Sequence, residues 1–355
     1  MAITMAGREG CGLKIANPLQ EPVRDVLINS FGYYLKRRFP QKVHKVTVDA
    51  GFTCPNRDGS KGKTGCSYCN NKSFNPNRRR EIPSIAQQIE AGKAVVRKRT
   101  GATRVLAYFQ AYSNTYAPIS ELADRYEQAL ACPDVIGLSI GTRPDCIDAG
   151  AVDLLASYRD RGYEIWLEIG LQSAHDITLQ RIRRGHDFAT YAQAIRLIRA
   201  RGLPVCTHLI LGLPGENHNM MMQTLDRMME VGTDGMKFHP LHIVRHTLFA
   251  HQWKQEPFPL LSRHEYTGLV CDMLERIPPR YVIHRLTGTA SQDVLLAPSW
   301  CAGKWSVINA IHAEMQRRGS TQGCAFDAGR TGHPWHLFDT NPVSDKVSES
   351  IPVPG

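Results

Sequence analysis

Apolar residues fall along this chain in short runs separated by longer stretches of helical periodicity. The run over 43–50 reads as a strand. Residues 82–99 (IPSIAQQIEAGKAVVRKR) read as a helix, with Pro83 suited to a first turn and Ile85, Ile89, Ala94 and Val96 apolar. The alternation then continues. Strands are expected at 104–109, 134–141, 163–171, 204–213 and 235–244. Helices are expected between them at 118–130, 147–162, 188–202 and 220–232, the second of these ended by Gly162. Two further helices, at 262–277 and 303–318, flank a strand at 280–286.

Six strands separated by helices predict an α/β fold with a parallel sheet and right-handed crossovers. Six units rather than eight predict an open, partial (β/α)6 TIM-like barrel carrying a small C-terminal α/β extension. The expected plan is an N-terminal extension over 1–25, the core barrel over 26–250, the C-terminal extension over 251–320 and a polar, proline-bearing flexible tail over 321–355. Ligands in such folds sit at the carboxyl ends of the strands. The loops after residues 50, 109, 141, 171, 213 and 243 are therefore the ones to inspect.

The 355 residues are 42% hydrophobic and 21% charged, which excludes a mostly disordered chain, a collagen and a coiled coil. Lysine and arginine outnumber aspartate and glutamate 43 to 33. The resulting +10 points to a polyanionic partner, nucleic acid first, or to a solvated basic surface. Residues 1–20 lack the apolar core of a signal peptide, and runs such as VLAYF and LILGL are too short to span a bilayer. The expected setting is cytoplasmic and reducing, with no membrane, where clustered cysteines mean metal or catalysis.

Three of the ten cysteines are clustered: Cys54, Cys66 and Cys69, in CPNRDGSKGKTGCSYC directly after the first strand. Thiolates at C-x-x-C spacing can share one metal centre. A closed zinc site or a closed [4Fe–4S] cluster takes four ligands, and no second C-x-x-C pair is present. Three thiolates on a four-iron cluster leave one iron open to a substrate or cofactor. A zinc knuckle completed by a histidine such as His44, or by a distant cysteine, is the other reading. Gly59, Gly62 and Gly65 allow the loop to curl tightly. Tyr68, next to Cys69, is placed to lay its ring near whatever binds.

These motifs resemble the radical S-adenosylmethionine (SAM) superfamily, and more narrowly its YhcC-type family, a relative of the elongator catalytic subunit. The superfamily's usual signature is C-x3-C-x2-C with an aromatic before the last cysteine. The eleven-residue first gap here departs from it, and CPNRDG…GCxxC is the form that the YhcC-type family carries. The resemblance spans residues 25–320. It implies an enzyme with a [4Fe–4S] cluster on Cys54, Cys66 and Cys69. It further implies SAM held on the open iron by its amino and carboxylate groups, Tyr68 against the adenine, and a one-electron donor such as flavodoxin or ferredoxin.

The other strand ends extend the resemblance. YFQAYSNTYAP stands where the superfamily is glycine-rich and contacts the SAM amino group, which implies Gln110, Ser113 and Asn114, with Thr115 beside them. SIGTRPD brings Arg143 and Asp145 to the rim, either as ligand contacts or as a salt-bridged loop. Alternation in the fourth strand puts Trp166, Glu168 and Gly170 on one face and Leu167, Ile169 and Leu171 on the other. A carboxylate inside a strand needs a partner, so Glu168 is a buried ion-pair member or a ligand contact. LEIGLQS resembles a segment whose glutamine reaches SAM, implying Gln172 and, beside it, Glu168. IRRGH resembles the segment that sends an arginine to the SAM carboxylate; Arg184 matches, and a planar guanidinium suits that group. THLILGLPGE resembles the segment whose main chain packs on adenine, implying Ile210 and Gly212, with His208 where relatives place a ribose-contacting carboxylate.

His239, His242 and His246 read as histidines near a substrate rather than as a metal site. The runs Lys36–Arg38, Arg78–Arg80 and Arg97–Arg99, with Phe39 and Phe74 near the first two, suit nucleic-acid phosphates or are solvated faces. The expected function is radical chemistry: reductive cleavage of SAM to a 5′-deoxyadenosyl radical that takes a hydrogen from a substrate, with a tRNA base favoured. No acetyltransferase-like second domain is seen, and Cys11 alone precedes the cluster loop, which argues against a second cluster at that end. The alternatives are a radical SAM enzyme acting on a small molecule and a non-enzymatic zinc- or cluster-bearing nucleic-acid-binding protein.

Overall fold

The computed structural model describes Leu19, Val23, residues 26–70 and residues 82–327. Most of the expected N-terminal extension, most of the tail, Cys11, Phe74 and Arg78–Arg80 lie outside the described residues. The strands are β1 (Val43–Val48), β2 (Arg104–Phe109), β3 (Val135–Thr142), β4 (Glu164–Gln172), β5 (Val205–Leu211), β6 (Gly235–Pro240), β7 (Ile243–Val244), β8 (Val282–Arg285) and β9 (Leu295–Ala297). The helices are α1 (Phe31–Arg38), α2 (Ile85–Thr100), α3 (Ile119–Leu130), α4 (Ala149–Asp160), α5 (Asp176–Arg181), α6 (Phe188–Arg199), α7 (His218–Val231), α8 (Leu248–Gln255), α9 (Arg263–Arg276) and α10 (Lys304–Arg318).

β1 to β6 stand side by side in chain order, all parallel, and β8 adds to the edge of β6 in the same sense. The sheet is a partial α/β barrel of seven strands, one more than the six core units expected, because the strand foreseen near 280 joins it. The run expected as one strand over 235–244 divides. Pro240 ends β6, and β7 turns away to pair antiparallel with β9.

Local chemistry sets the helix ends. Ser84 and Gln87 form a reciprocal cap on α2, with Gln87 N–H donating to Ser84 Oγ at 3.2 Å and Ser84 N–H to Gln87 Oε1 at 3.0 Å. Pro83 therefore precedes the cap rather than occupying the first turn. Gly162, at φ +93°, takes the left-handed conformation just after α4, as the stop signal required.

The inner and outer faces of the sheet follow strand alternation. Leu167, Ile169 and Leu171 of β4 join Val105, Phe109 and Ile140 in the apolar layer under the helices. Trp166 points the other way. It meets Phe31 and Tyr34 of α1 edge-on, at centroid distances of 5.6 and 5.4 Å, and closes the amino end of the lumen with Leu106, Cys206 and Val282. Its indole N–H donates to Glu164 Oε1 at 2.8 Å, so a fully buried ring leaves no polar atom unmet. Truncating Trp166 to alanine would cost about 3–5 kcal/mol. Among the described residues no helix is long and apolar enough to cross a membrane.

Candidate active site at the carboxyl end of the barrel

The cysteine loop leaves the carboxyl end of β1 and is tied down at once. Gln88 of α2 donates to the Asp49 carbonyl at 2.7 Å and accepts from Asp49 N–H at 2.8 Å. The loop then coils on itself: Arg57 N–H donates to the Cys54 carbonyl at 2.8 Å, Gly65 N–H to Asn56 at 2.8 Å and Cys69 N–H to Cys66 at 2.9 Å. Gly65, at φ +80°, lies so close to the Arg57 guanidinium that a Cβ there would stand 2.7 Å from it. Arg57 in turn donates to the Cys69 carbonyl at 2.8 Å. Ser67 docks the loop against two other elements, donating from its N–H to Ile182 and accepting from Phe249 N–H, each at 2.9 Å.

Cys66 is the best-defined of the three thiols. Its Sγ has Asn56 Nδ2 at 3.3 Å, Arg184 Nη1 at 3.5 Å and Arg143 Nη1 at 3.8 Å. Burial alone would push the thiol up; the two guanidiniums and the Asn56 amide reverse that and bring it below its ordinary value, which favours the thiolate form. Cys69 goes the other way, to about 11, raised by burial and then by the negative Cys66 beside it. A second bound positive centre is needed before both can ionise. Arg143 is locked by Asp145 through two 2.9 Å bonds, and Asp145 is brought down to about 2 because Arg143 and Lys61 outweigh its burial.

The donor set at the site, three thiols with N–H groups around them, fits an iron–sulfur cluster. Cys54, Cys66 and Cys69 all line one cavity. A cluster takes one thiolate per iron and so does not need its ligands on one point. N–H donors aimed at a cysteine sulfur are also the groups that tune such clusters. Arg184 Nε, buried and without a partner, leaves one further donor for an anionic ligand.

The cavity, about 250 Å³, runs from the cysteines down into the lumen. There Glu168 is fully buried with Lys45 and Lys237 both on its carboxylate, Ser139 Oγ donating at 2.7 Å and His208 Nε2 at 2.9 Å. Burial would raise this carboxyl, but the two ammoniums hold it well below the usual range. His208 is brought down to about 4 by burial and by Lys237, so its ring is neutral, with Nε2 carrying the proton and Nδ1 free to accept. Lys237 also donates to Tyr108 OH at 2.9 Å. Strands β1, β2, β3, β4, β5 and β6 are thus joined through one carboxylate.

Tyr68, Gln110, Ser113, Glu168, Gln172, Arg184, His208 and Ile210 line the cavity with the three cysteines. Gln172 is turned inward by a positive φ of +79° at an irregularity in the β4–β5 register. Tyr68 and Ile210 pack on the same small apolar cluster with Leu241 and Ile243. Asn114 and Gly212 stand outside the lining. The Asn114 amide instead ties the ends of β2 and β3, donating to Phe109 and Gly141 carbonyls at 3.2 and 2.7 Å. Gly212, at φ +83°, lets Leu261 approach to within 2.9 Å of where a Cβ would be. Asn56, Arg57, Lys45, Lys237 and Arg285 are site residues not singled out from the sequence; only CPNRDG, by its proximity to Cys54, carried a signal for the first two. Arg143, weighed as a rim residue, is a direct neighbour of Cys66.

The two described basic runs lie elsewhere. Arg38 precedes β1 and bonds Glu164, the first residue of β4, at 3.4 Å; Arg99 leads into β2. Both runs therefore sit at the amino ends of the strands, opposite the cysteine loop.

A parallel partial barrel with a three-cysteine loop after its first strand defines a radical SAM enzyme. The Radical SAM superfamily model matches residues 54–228, and the Radical SAM C-terminal domain model matches residues 233–317. Protein YhcC of Escherichia coli K12 is 45% identical over 309 residues, covering 87% of this chain and 97% of that protein. The chain belongs to the radical SAM superfamily and, within it, to the YhcC family. The tRNA uridine(34) acetyltransferase of Dehalococcoides mccartyi is 29% identical over 155 residues, 42% of this chain and 33% of that one. The solved structure of the archaeal Methanocaldococcus infernus Elp3 with an N-terminal deletion shares the fold, with a TM-score of 0.57 at 18% identity over 79% of this chain and 64% of that chain.

Proposed function

We propose that Cys54, Cys66 and Cys69 hold a [4Fe–4S] cluster and that SAM binds beside it along Tyr68, Gln110, Ser113, Gln172, Arg184, His208 and Ile210. When bound and reduced by an external donor, the cluster and SAM supply a 5′-deoxyadenosyl radical able to take hydrogen from an unactivated C–H. The protein's part is to bind, orient and exclude water. Arg184 and Arg143 favour the anionic form of Cys66, and Arg184 Nε is a donor left for the SAM carboxylate. Tyr68 and Ile210 offer an apolar seat for adenine. Neutral His208 offers Nδ1 as an acceptor for a ribose hydroxyl.

The observation that carries this reading is the Cys66 sulfur with three N–H donors aimed at it, on the lining of the cavity. Cys66→Ala is expected to abolish 5′-deoxyadenosine release from SAM under dithionite while the chain stays folded; retained release rejects the assignment.

For the substrate, kinship with a tRNA uridine(34) acetyltransferase and the +10 charge support a tRNA base. A small molecule is the second reading, supported by the placement of the described basic runs away from the cavity. Comparing modified nucleosides in tRNA from cells with and without the protein separates the two: a nucleoside lost with the protein supports the base, and an unchanged profile supports the small molecule.

A further inference from the structure

The far wall of the cavity is built of cations. β5, β6 and β8 set His208, Lys237 and Arg285 in register across three neighbouring strands. Like charges directly opposite one another in a sheet repel. The pairing of Lys237 with Arg285 depends on a slip in register: Met236 pairs with Ile283, and Lys237 with Arg285, so His284 is skipped. Such an irregularity re-aims side chains. Here it turns both His284 and Arg285 to the inner side, where strict alternation would turn Arg285 away.

The charges around this wall do not balance among the described residues. Lys45 and Lys237 share the one carboxylate that lines the lumen, Glu168. Arg285 has no carboxylate partner; its Nη1 donates only to His239 Nε2, at 3.5 Å. His239 cannot supply an anion, and burial together with Arg285, His208 and Lys237 keeps its ring neutral. Gly288, in the loop after β8, packs so tightly on His239 that a Cβ there would fall 2.4 Å from Nδ1, which fixes that ring beside Arg285. Thr289 and His242 complete the rim, the latter with Nδ1 donating to Pro240 at 3.2 Å. Arg285 is half-buried on the cavity lining, and a cation partly withdrawn from water beside a second one, Lys237, is favoured when a ligand brings the counter-charge.

We infer that Arg285, backed by Lys237 and His239, is the seat of an anionic group, carboxylate or phosphate, on the molecule that reacts in this cavity. The inference rests on the radical SAM reading for what the bound molecule meets, but the seat itself depends only on this chain's own residues. The Arg285 fork can take two oxygens of such a group, in a cavity that Tyr108 and His208 also line.

The test uses the iron-loaded protein with SAM and without reductant, titrated calorimetrically with inorganic phosphate and, separately, with malonate. Saturable binding of either anion is expected, falling roughly 10- to 100-fold in Arg285→Gln and unchanged in Arg317→Gln, which alters an exposed arginine on α10. The tighter of the two anions identifies the group as phosphate or carboxylate. Absence of binding by both, or Arg285→Gln binding as tightly as the native chain, overturns the inference. The same preparations are assayed for iron and for 5′-deoxyadenosine. Normal values with no anion binding reject the seat alone, whereas anion binding in a chain that never cleaves SAM rejects the radical reading and leaves the seat standing.

Discussion

Arg184 Nη1 lies 3.5 Å from Cys66 Sγ, while Nη2 of the same guanidinium donates to the Gly170 carbonyl at 2.7 Å. One planar group thus fixes the end of β4 to the cysteine loop and supplies charge to the sulfur. Removing it takes away a hydrogen bond to a charged group, which is typically worth about 1.5–3 kcal/mol. Arg184→Gln is expected to lose iron to a chelator roughly 10- to 100-fold faster than the native chain, by the same measure. Arg184→Lys should not restore it, because a point charge cannot span both partners. An unchanged rate in either variant would show that Arg184 does not hold the thiolate.

Asn56 makes a comparable bridge. Its Nδ2 donates to the Arg183 carbonyl at 2.9 Å, the Arg184 carbonyl at 3.1 Å and Cys66 Sγ at 3.3 Å. Asn56→Ala leaves the part-buried Arg183 carbonyl short of its side-chain donor and removes one N–H from Cys66, while the Arg184 carbonyl keeps Arg143 Nη2 at 2.6 Å; the loss is about 1–3 kcal/mol. The expected outcome is a midpoint of thermal unfolding lowered by several degrees in the iron-free chain. Equal midpoints would mean that the loop is held without it.

Glu168 and Lys237 form the most deeply buried ion pair in the described lumen. Glu168→Gln leaves Lys45 and Lys237 unpaired and is expected to cost about 3–5 kcal/mol in urea unfolding. Lys237→Met on that background should recover part of the loss, because it removes one stranded charge. Strictly additive losses would contradict the coupling.

The buried histidines set a pH dependence. His208 has a folded-state value near 4, below the usual value for a free imidazole, so the unfolded chain binds the extra proton between about 4 and 6.5. Stability therefore rises with pH through that window and is lost as pH falls from 6.5 towards 4, at about 1.4 kcal/mol per pH unit for one such group. His186, lowered to about 3 by burial and then by Arg184, acts in the same direction. His208→Gln should flatten the urea-unfolding profile between pH 6.5 and 4.5 by about one proton. A profile with the native slope would place the acid sensitivity elsewhere.

The fold was legible because its signal is repeated. Each core strand carries an apolar outer row, and each long helix a matching stripe, so six units could be counted without knowing any contact. Shorter elements escaped that count. α1, FGYYLKRR, is too short for a period, and its role depends on Trp166, far along the chain. The extra strand at the sheet edge was foreseen as a strand but not as part of the barrel, since pairing is not written in local pattern. In the site, Glu168 was visible because a carboxylate in a strand demands a partner. Lys45, Lys237 and Arg285 were not, since a lone cation on an alternating strand reads as a solvent-facing residue. Only closure of the barrel brings them together. Arg143 and Asn56 sit in segments already marked by Cys54 and by the SIGTRPD strand end, but nothing in their spacing says that both aim at Cys66.

The account turns on what the three cysteines hold. The decisive measurement is metal content with SAM turnover on one anaerobic preparation of the native chain. About four irons per chain, a brown colour and 5′-deoxyadenosine released from SAM under dithionite are expected. A colourless chain carrying one zinc and releasing no 5′-deoxyadenosine would contradict it.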